Sequence, residues 1–282
     1  MSKKIYFENE QGKVEMFLGG TGPVRVTALS GLGNPEKKYN TVTFAGKNGQ
    51  KTLSSVKNPR TIVISGDIRS KDRSLPEKML KILDRPGTLT LDFGDKKRKI
   101  FCNQVDISEG TRYGSYMNFV LTLTADDVYF TDIQMTETAL FIRLDMLSGD
   151  IVFPCMFTKK ITEAEVENRG EENSEPVIYI YNFNNDVNEN AGGILIENQT
   201  TGQKIKLETG MEENEVITID ITNRKIESSD RGNITHLISN DTFLNRFWLA
   251  PGINRLKAEH GNTGEEISVI CKHYSNYREG IY

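Results

Sequence analysis

Hydrophobic and polar residues alternate with a period of two along most of the chain. Leu89, Leu91 and Phe93 are interleaved with Thr88, Thr90 and Asp92, and Met117, Phe119, Leu121 and Leu123 with Asn118, Val120, Thr122 and Thr124. Further on, Ile205 and Leu207 alternate with Lys204, Lys206 and Glu208, and Ile217, Ile219 and Ile221 with Thr218, Asp220 and Thr222. Side chains of a strand point alternately to two faces, so each stretch predicts a strand with one dry and one wet face. Such strands belong to antiparallel sheets, stacked as sandwiches or closed as barrels. Gly12-Lys13, Asn48-Gly49, Pro86-Gly87, Thr201-Gly202 and Pro251-Gly252 punctuate them as turns.

One helix stands out. Ser74-Leu75-Pro76-Glu77 reads as a capping box with Pro in the first turn, where its missing N–H costs nothing. Leu75, Met79, Ile82 and Leu83 then share one face, and Pro86-Gly87 ends the element. A single amphipathic helix among strands is a core-packing element, and it excludes a doubly wound fold, which needs helices alternating with strands. Two sets of strands meet near residues 131–150, which predicts a first domain over 1–133 and a second over 134–282. The acidic stretch 163–176 reads as a long loop or partly helical excursion.

Composition sharpens this picture only in part. The 282 residues are 37% hydrophobic and 26% charged, enough for two domains with cores that need no disulfide or metal staple. The net charge of −4 conceals an asymmetry. Residues 1–155 carry 22 Lys+Arg against 18 Asp+Glu, giving +4, and the remainder carries −8. A chain of net negative charge is not expected to have a general affinity for nucleic-acid backbones, which needs clustered positive charge. The longest apolar run, Val177 to Tyr181, has five residues, against the roughly 20 that a membrane span needs. The opening Met1-Ser2-Lys3-Lys4-Ile5-Tyr6-Phe7-Glu8 lacks the apolar core of a signal peptide, so synthesis in the cytosol is expected.

Motifs for catalysis and cofactors are missing. Ala45-Gly46-Lys47-Asn48 lacks the upstream Gly and the Ser/Thr of a P-loop, and Gly31-Leu32-Gly33 stands outside any βαβ unit. There is neither a GxSxG elbow nor an HExxH pair. Cys102, Cys155 and Cys271 are too far apart for a zinc knuckle and read as buried free thiols. Cys271 and His273 fall on one face of a strand, a spacing open to a thiolate–imidazole pair, but a core cysteine beside an edge histidine is the expected arrangement. Asp186-Val187-Asn188-Glu189-Asn190-Ala191, with Glu197 at position twelve, mimics a calcium loop; Ala191 stands where the turn needs Gly, and the flanks are strand-like. His236 and His260 have no partner motif, and the Asn-x-Thr triplets at Asn198, Asn233 and Asn240 matter only in a secreted protein. No metal, cofactor or catalytic residue is therefore expected. A glycoside hydrolase needs two carboxylates about 5–10 Å apart, and the sequence places no such pair. Trp248, the only tryptophan, lies on the opposite strand parity to Phe243, Phe247 and Leu249, a position open to an outward face and a sugar ring, but packing against the flanking loop is the expected arrangement.

The ordered set of motifs carries more information than any one of them. Leu29-Ser30-Gly31-Leu32-Gly33-Asn34-Pro35-Glu36, Tyr39-Asn40-Thr41-Val42, the stretch from Gly46 to Leu53-Ser54-Ser55, and Pro59-Arg60-Thr61-Ile62-Val63-Ile64-Ser65-Gly66-Asp67-Ile68 come in that order. The capped helix and Thr124-Ala125-Asp126-Asp127-Val128-Tyr129-Phe130 follow. Downstream stand Ile196-Glu197-Asn198-Gln199-Thr200-Thr201-Gly202-Gln203-Lys204-Ile205, Val216-Ile217-Thr218-Ile219-Asp220 and Phe247-Trp248-Leu249-Ala250-Pro251-Gly252-Ile253-Asn254. Over essentially its whole length the chain resembles the distal tail proteins, the siphovirus-type tail component family of bacteriophages and prophages. The positions that carry the resemblance are Gly31, Gly33, Tyr39, Gly66, Asp126, Asp127, Tyr129, Phe130, Pro251, Gly252 and Asn254.

The resemblance implies a mainly β protein of two β-sandwich domains, the first tail-tube-like with one packed helix, the second galectin-like. It implies a virion structural protein, not an enzyme, that forms a homo-hexameric ring at the tail tip or baseplate. Its partners would be the tail tube protein, the tail hub and receptor-binding or fibre proteins, with DNA only as cargo passing through the channel. The first domain would line the ring and the second project outward as a docking platform. Related rings serve flexible tails, contractile tails and phage-derived bacteriocins alike. The alternative is a carbohydrate-binding module that recognises cell-wall glycans through the second domain and Trp248.

Overall fold

The computed structural model describes residues 3–19, 22–72, 74–114, 116–145, 158–161, 163–182, 193–212, 214–260 and 267–281. The chain divides into one compact unit of Met1–Ile133 with Tyr277–Tyr282, and another of Gln134–Asn276.

Unit 1 opens with β1 (Lys3–Asn9), β2 (Gly12–Leu18) and β3 (Val24–Ser30). Next come β4 (Lys37–Val42), β5 (Lys51–Lys57), β6 (Arg60–Arg69) and the helix α1 (Leu75–Ile82). It continues through β7 (Gly87–Asp92), β8 (Lys97–Cys102), β9 (Gln104–Tyr113), β10 (Tyr116–Ala125) and β11 (Phe130–Thr131). Apart from the separate pair β4–β5, these strands join one sheet in the order β11-β8-β7-β1-β2-β3-β6-β10-β9. β8 and β9 are far apart in that order, yet only Asn103 separates them along the chain. A one-residue link cannot span a flat sheet of strands 4.7–4.9 Å apart, so the sheet rolls until its far strands approach. Ile5, Phe7, Met16, Ile62, Ile64, Leu89, Leu91, Phe119, Leu121 and Phe130 fill the interior. Most pairings are antiparallel as expected, but β2 and β3 run parallel, Phe17 opposite Arg25. β3 is pinned to β6 by Arg25, whose Nε and Nη2 donate to the buried Asp67 carboxylate at 3.0 and 2.9 Å. Those bonds, reinforced by Arg69, hold the Asp67 carboxyl below its ordinary pKa.

The helix packs as its pattern predicts, with Met79 and Leu83 fully buried and Leu75 and Ile82 against the same core. Its cap is different. Ser74 makes no side-chain cap bond. Asp72 accepts from the Ser74 hydroxyl at 2.7 Å and from its backbone N–H at 2.9 Å, so a local Asx turn takes the groups that the capping box would have used. Glu77 reaches Arg112 instead, at 3.5 Å.

Unit 2 contains β12 (Thr136–Asp145), β13 (Thr158–Ile161), β14 (Glu163–Asn168), β15 (Val177–Asn182), β16 (Ile194–Asn198), β17 (Gln203–Leu207), β18 (Val216–Asp220), β19 (Lys225–Ser228), β20 (Gly232–Asn233), β21 (Gly252–His260) and β22 (Ile267–His273). One sheet runs β13-β12-β22-β15-β18-β19-β20 and the other β14-β21-β16-β17. Both contribute to one core, including Ile178, Ile180, Ile196, Ile205, Ile217, Ile219, Leu256 and Val269, which makes this unit a β-sandwich. β14 corrects the expectation of a loop or helix over 163–168, while 169–176 are irregular as a loop would be. Ala164, Val166 and Asn168 turn inward while Glu163, Glu165 and Glu167 face solvent.

The last strand, β23 (Asn276–Tyr277), joins the sheet of unit 1 beside β11. Tyr277–Tyr282 therefore belongs with the first unit, not with a second domain running to 282. Tyr277 and Ile281 are buried in the first unit's core, and apolar contacts override the order of the sequence.

Candidate functional site

Hairpin β4–β5 is the least buried element of unit 1. It pairs from Lys37↔Lys57 to Val42↔Lys51 and joins no larger sheet. Tyr39 is 58% exposed, Phe44 51%, Leu53 62% and Val56 60%. A two-stranded ribbon wet on both faces is marginal by itself in water, and large apolar side chains clustered on one projection mark a contact surface. The same segment concentrates charge: residues 34–58 hold Lys37, Lys38, Lys47, Lys51 and Lys57 against the single carboxylate Glu36.

The root of the hairpin is, by contrast, firmly held. Arg60, the first residue of β6, is 3% exposed. Its Nε donates to the Val128 carbonyl at 2.9 Å, and Nη1 to the carbonyls of Gly31 and Gly33 at 2.8 and 2.7 Å. Nη2 donates to the Arg278 carbonyl. The guanidinium lies 4.7 Å from the centre of the Phe130 ring, and Lys57 sits over the Tyr129 ring while donating to its hydroxyl at 2.6 Å. Asn58 N–H closes the base on the Glu36 carbonyl at 2.9 Å. Gly31 is obligatory here: its φ is +84°, and a Cβ would lie 2.1 Å from the Thr61 carbonyl oxygen.

The structure thus brings Gly31, Gly33, Tyr129 and Phe130 together around Arg60 and Lys57, two residues the sequence reading had not singled out. Tyr39 projects on the hairpin. Gly66 lies elsewhere on β6, where a Cβ would meet the Arg25 carbonyl at 2.3 Å and the Phe119 ring at 2.6 Å. Asp126 and Asp127 are exposed in the turn after β10, and the Asp126 N–H donates to Asn103 Oδ1 at 3.0 Å.

In unit 2, Asn254 is fully buried and ties its own turn together. Its Oδ1 accepts from Ala250 N–H at 2.9 Å and from Asn198 Nδ2 at 3.2 Å, and its Nδ2 donates to the Ala250 carbonyl at 2.7 Å. Pro251 and Gly252 form the exposed bend of that turn, with Gly252 at a φ of +92°. Trp248 does not sit on an alternating strand. A 3-10 turn over Leu244–Arg246 breaks the parity, leaving Phe243 half-exposed and Phe247 and Leu249 buried. Trp248 itself is half-buried, with its backbone held by Gln203 and Asn198. Trp248→Ala is expected to leave the signal on a cell-wall glycan array unchanged; a lost signal would favour the sugar-binding reading.

Glu215 is a second feature the sequence hid. Fully buried, it accepts from Arg231 Nε at 2.8 Å and Nη2 at 3.1 Å, from Glu212 N–H at 2.7 Å and from the Ser228 hydroxyl. A buried carboxylate needs such partners, and here they tie Glu212 and Glu215 to Ser228 of β19 and Arg231 in the turn that follows it.

Cys271 and His273 share a face of β22, but both are fully buried on an internal strand rather than at an edge. His273 Nε2 lies 3.2 Å from the Glu167 carbonyl. Burial pushes the thiols of Cys102 and Cys271 up to about 12, the wrong direction for a nucleophile. Cys155 and the residues from Asp186 to Ala191 lie outside the described residues, as does the His260 side chain. In a Cys155→Ser background, both buried thiols are expected to resist a disulfide reagent at pH 9 until denaturant is added. Rapid labelling of the native protein would contradict their burial. Since the folded thiols titrate above the unfolded ones, they favour the folded state below pH 9 and lose that contribution as pH rises toward 12.

Among the described residues, no group of three or more His, Cys, Asp or Glu is placed to hold a metal ion, and no helix is long and apolar enough to cross a membrane. What the geometry offers is a projecting, basic, apolar hairpin on a rigid root. Two family models cover the chain in the same order as its units. The phage tail protein RIFT-related domain matches residues 4–125, and the C-terminal domain of the siphovirus-type tail component matches residues 169–270. The chain belongs to the siphovirus-type tail component family.

One solved structure supports the fold of this tail component, and a second is more distant. The crystal structure of the Dit protein of phage SPP1, described as a paradigm of the hub adsorption apparatus in phages infecting Gram-positive hosts, is similar over 96% of this chain and 98% of its own, with a TM-score of 0.63 at 13% identity. A chain of the phage P2 baseplate in its activated conformation with Ca is similar over 96% and 97%, with a TM-score of 0.47 at 12% identity. No curated protein sequence matches the chain. The protein is a component of the phage tail.

Proposed function

We propose that this tail component acts without catalysis, as a homo-hexameric ring that joins the tail tube to the hub and its receptor-binding or fibre proteins. The observation that carries the reading is hairpin β4–β5, which leaves Tyr39, Phe44, Leu53 and Val56 half or more exposed on a root fixed by Arg60. A rigid arm whose contact surface is unsatisfied within its own unit fits a heterologous contact, in which each copy grips the next and rotation closes the ring. Unit 1 then lines a channel through which DNA passes, and unit 2 faces the accessory proteins. The charge split supports that division, because the basic lysines cluster on the arm while the larger acidic excess belongs to the second half.

Light scattering on the purified chain, alone and mixed with the tail tube and hub proteins, tests the reading. The expected mass is six times the 31.8 kDa protomer. A protomer mass under both conditions would overturn it.

A further inference from the structure

The C-terminal residues finish a unit that the first residues begin. Arg98 lies 3.8 Å from the centre of the Tyr277 ring, and its Nη1 donates to the carbonyls of Glu279 and Gly280 at 2.6 and 2.9 Å. Gly280 N–H donates to the Leu32 carbonyl at 2.6 Å, and Leu32, 4% exposed, stands between the two glycines whose carbonyls Arg60 holds. Tyr277 hydroxyl donates to Asp132 at 3.0 Å, and Asn34 Nδ2 to Glu279 at 3.2 Å. Each of these bonds joins residues more than 140 positions apart in the sequence. Contacts of such separation form late, because loop closure precedes any gain from them.

Three of the tail's anchor points, Arg60, Leu32 and Asn34, belong to the segments from which hairpin β4–β5 springs. Without the tail, Arg60 and Arg98 lose carbonyl partners and the apolar floor around Leu32 and Leu91 is uncovered, since Gly280 packs on both side chains. We propose that residues 277–281 are a completion strap: the root of the hairpin becomes rigid only when this segment docks, so only a chain that carries it presents the arm in a fixed orientation. A chain cut short by proteolysis or interrupted synthesis keeps the arm's residues but not its aim. The strap acts within unit 1 and stands whether or not the ring forms.

Hydrogen-exchange mass spectrometry tests this on three proteins: the full chain, a chain ending at Asn276, and Arg98→Ala with the tail retained. Protection of amides 29–33 and 60–64 is expected to fall about 100-fold in the shortened chain and about tenfold in Arg98→Ala, as charge-assisted bonds are lost. β15, β18 and β22 of unit 2 are expected to exchange as in the full chain, and Trp248 emission to stay unchanged. Full-length protection of the root in the shortened chain would overturn the proposal. Equal loss across unit 2 would also overturn it, since the tail would then support the whole molecule and not the hairpin root.

Discussion

Replacing Tyr39, Phe44, Leu53 and Val56 together by serine is expected to abolish assembly while leaving the protomer folded. The four side chains are half or more exposed, so removing them takes little from the folded monomer, within about 0.5 kcal/mol per site as for other surface changes. Covering the exposed part of each in an interface is worth about 1 kcal/mol, at roughly 25 cal/mol per Å² of apolar surface. Four of them make about 4 kcal/mol at each contact between copies, or roughly a thousandfold in Kd. A closed ring repeats that loss at every interface, so light scattering should show protomers where the native chain gives the ring. Thermal unfolding should coincide with that of the native chain. If the quadruple variant assembles with undiminished mass, the hairpin is not the contact.

Arg60→Ala is expected to destabilise unit 1 by about 3–5 kcal/mol, because it orphans carbonyls in a site that admits little water. Four backbone oxygens, from Gly31, Gly33, Val128 and Arg278, lose their donor, and Phe130 loses the cation stacked against its ring. Arg60→Lys is expected to rescue little, since one ammonium cannot reproduce the planar fork that reaches four carbonyls. The only tryptophan lies in unit 2, so Trp248 fluorescence follows that unit alone while far-ultraviolet circular dichroism follows both. The dichroism transition should split, its unit 1 part moving down by about 10 °C while the fluorescence transition stays. Coincident shifts of both, or none, would show that Arg60 does not clamp the first unit.

What the sequence made legible follows from burial of one face at a time. β7, β10, β17 and β18 each bury alternate residues, and their pattern was plain. β14 obeys the same rule, but its outward positions are all glutamate, and the charge masked the inward Ala164, Val166 and Asn168. Hairpin β4–β5 shows no alternation because neither face meets the core. Only the likeness of Tyr39 and its neighbours to a known family drew attention to it. Gly31, Gly33 and Phe130 are marked by that likeness too, whereas their common partner Arg60 has no local signal: the carbonyls it holds lie 27 to 218 residues away. The return of Tyr277–Tyr282 was invisible for the same reason, as docking over such distances leaves no mark on local composition. At Ser74 the capping rule loses to a neighbour, the Asx turn at Asp72, and the 3-10 turn at Leu244–Arg246 takes Phe243 out of the parity it would share with Phe247 and Leu249.

The central claim, a structural ring that links tube to hub, is tested most directly by cryo-electron microscopy of tail particles that contain the chain. The account predicts six copies in one ring between the tail tube and the hub, with hairpin β4–β5 of each copy lying on unit 1 of its neighbour. A map in which the chain is absent from the tail tip, or attached singly at the periphery with its hairpin in solvent, would contradict it.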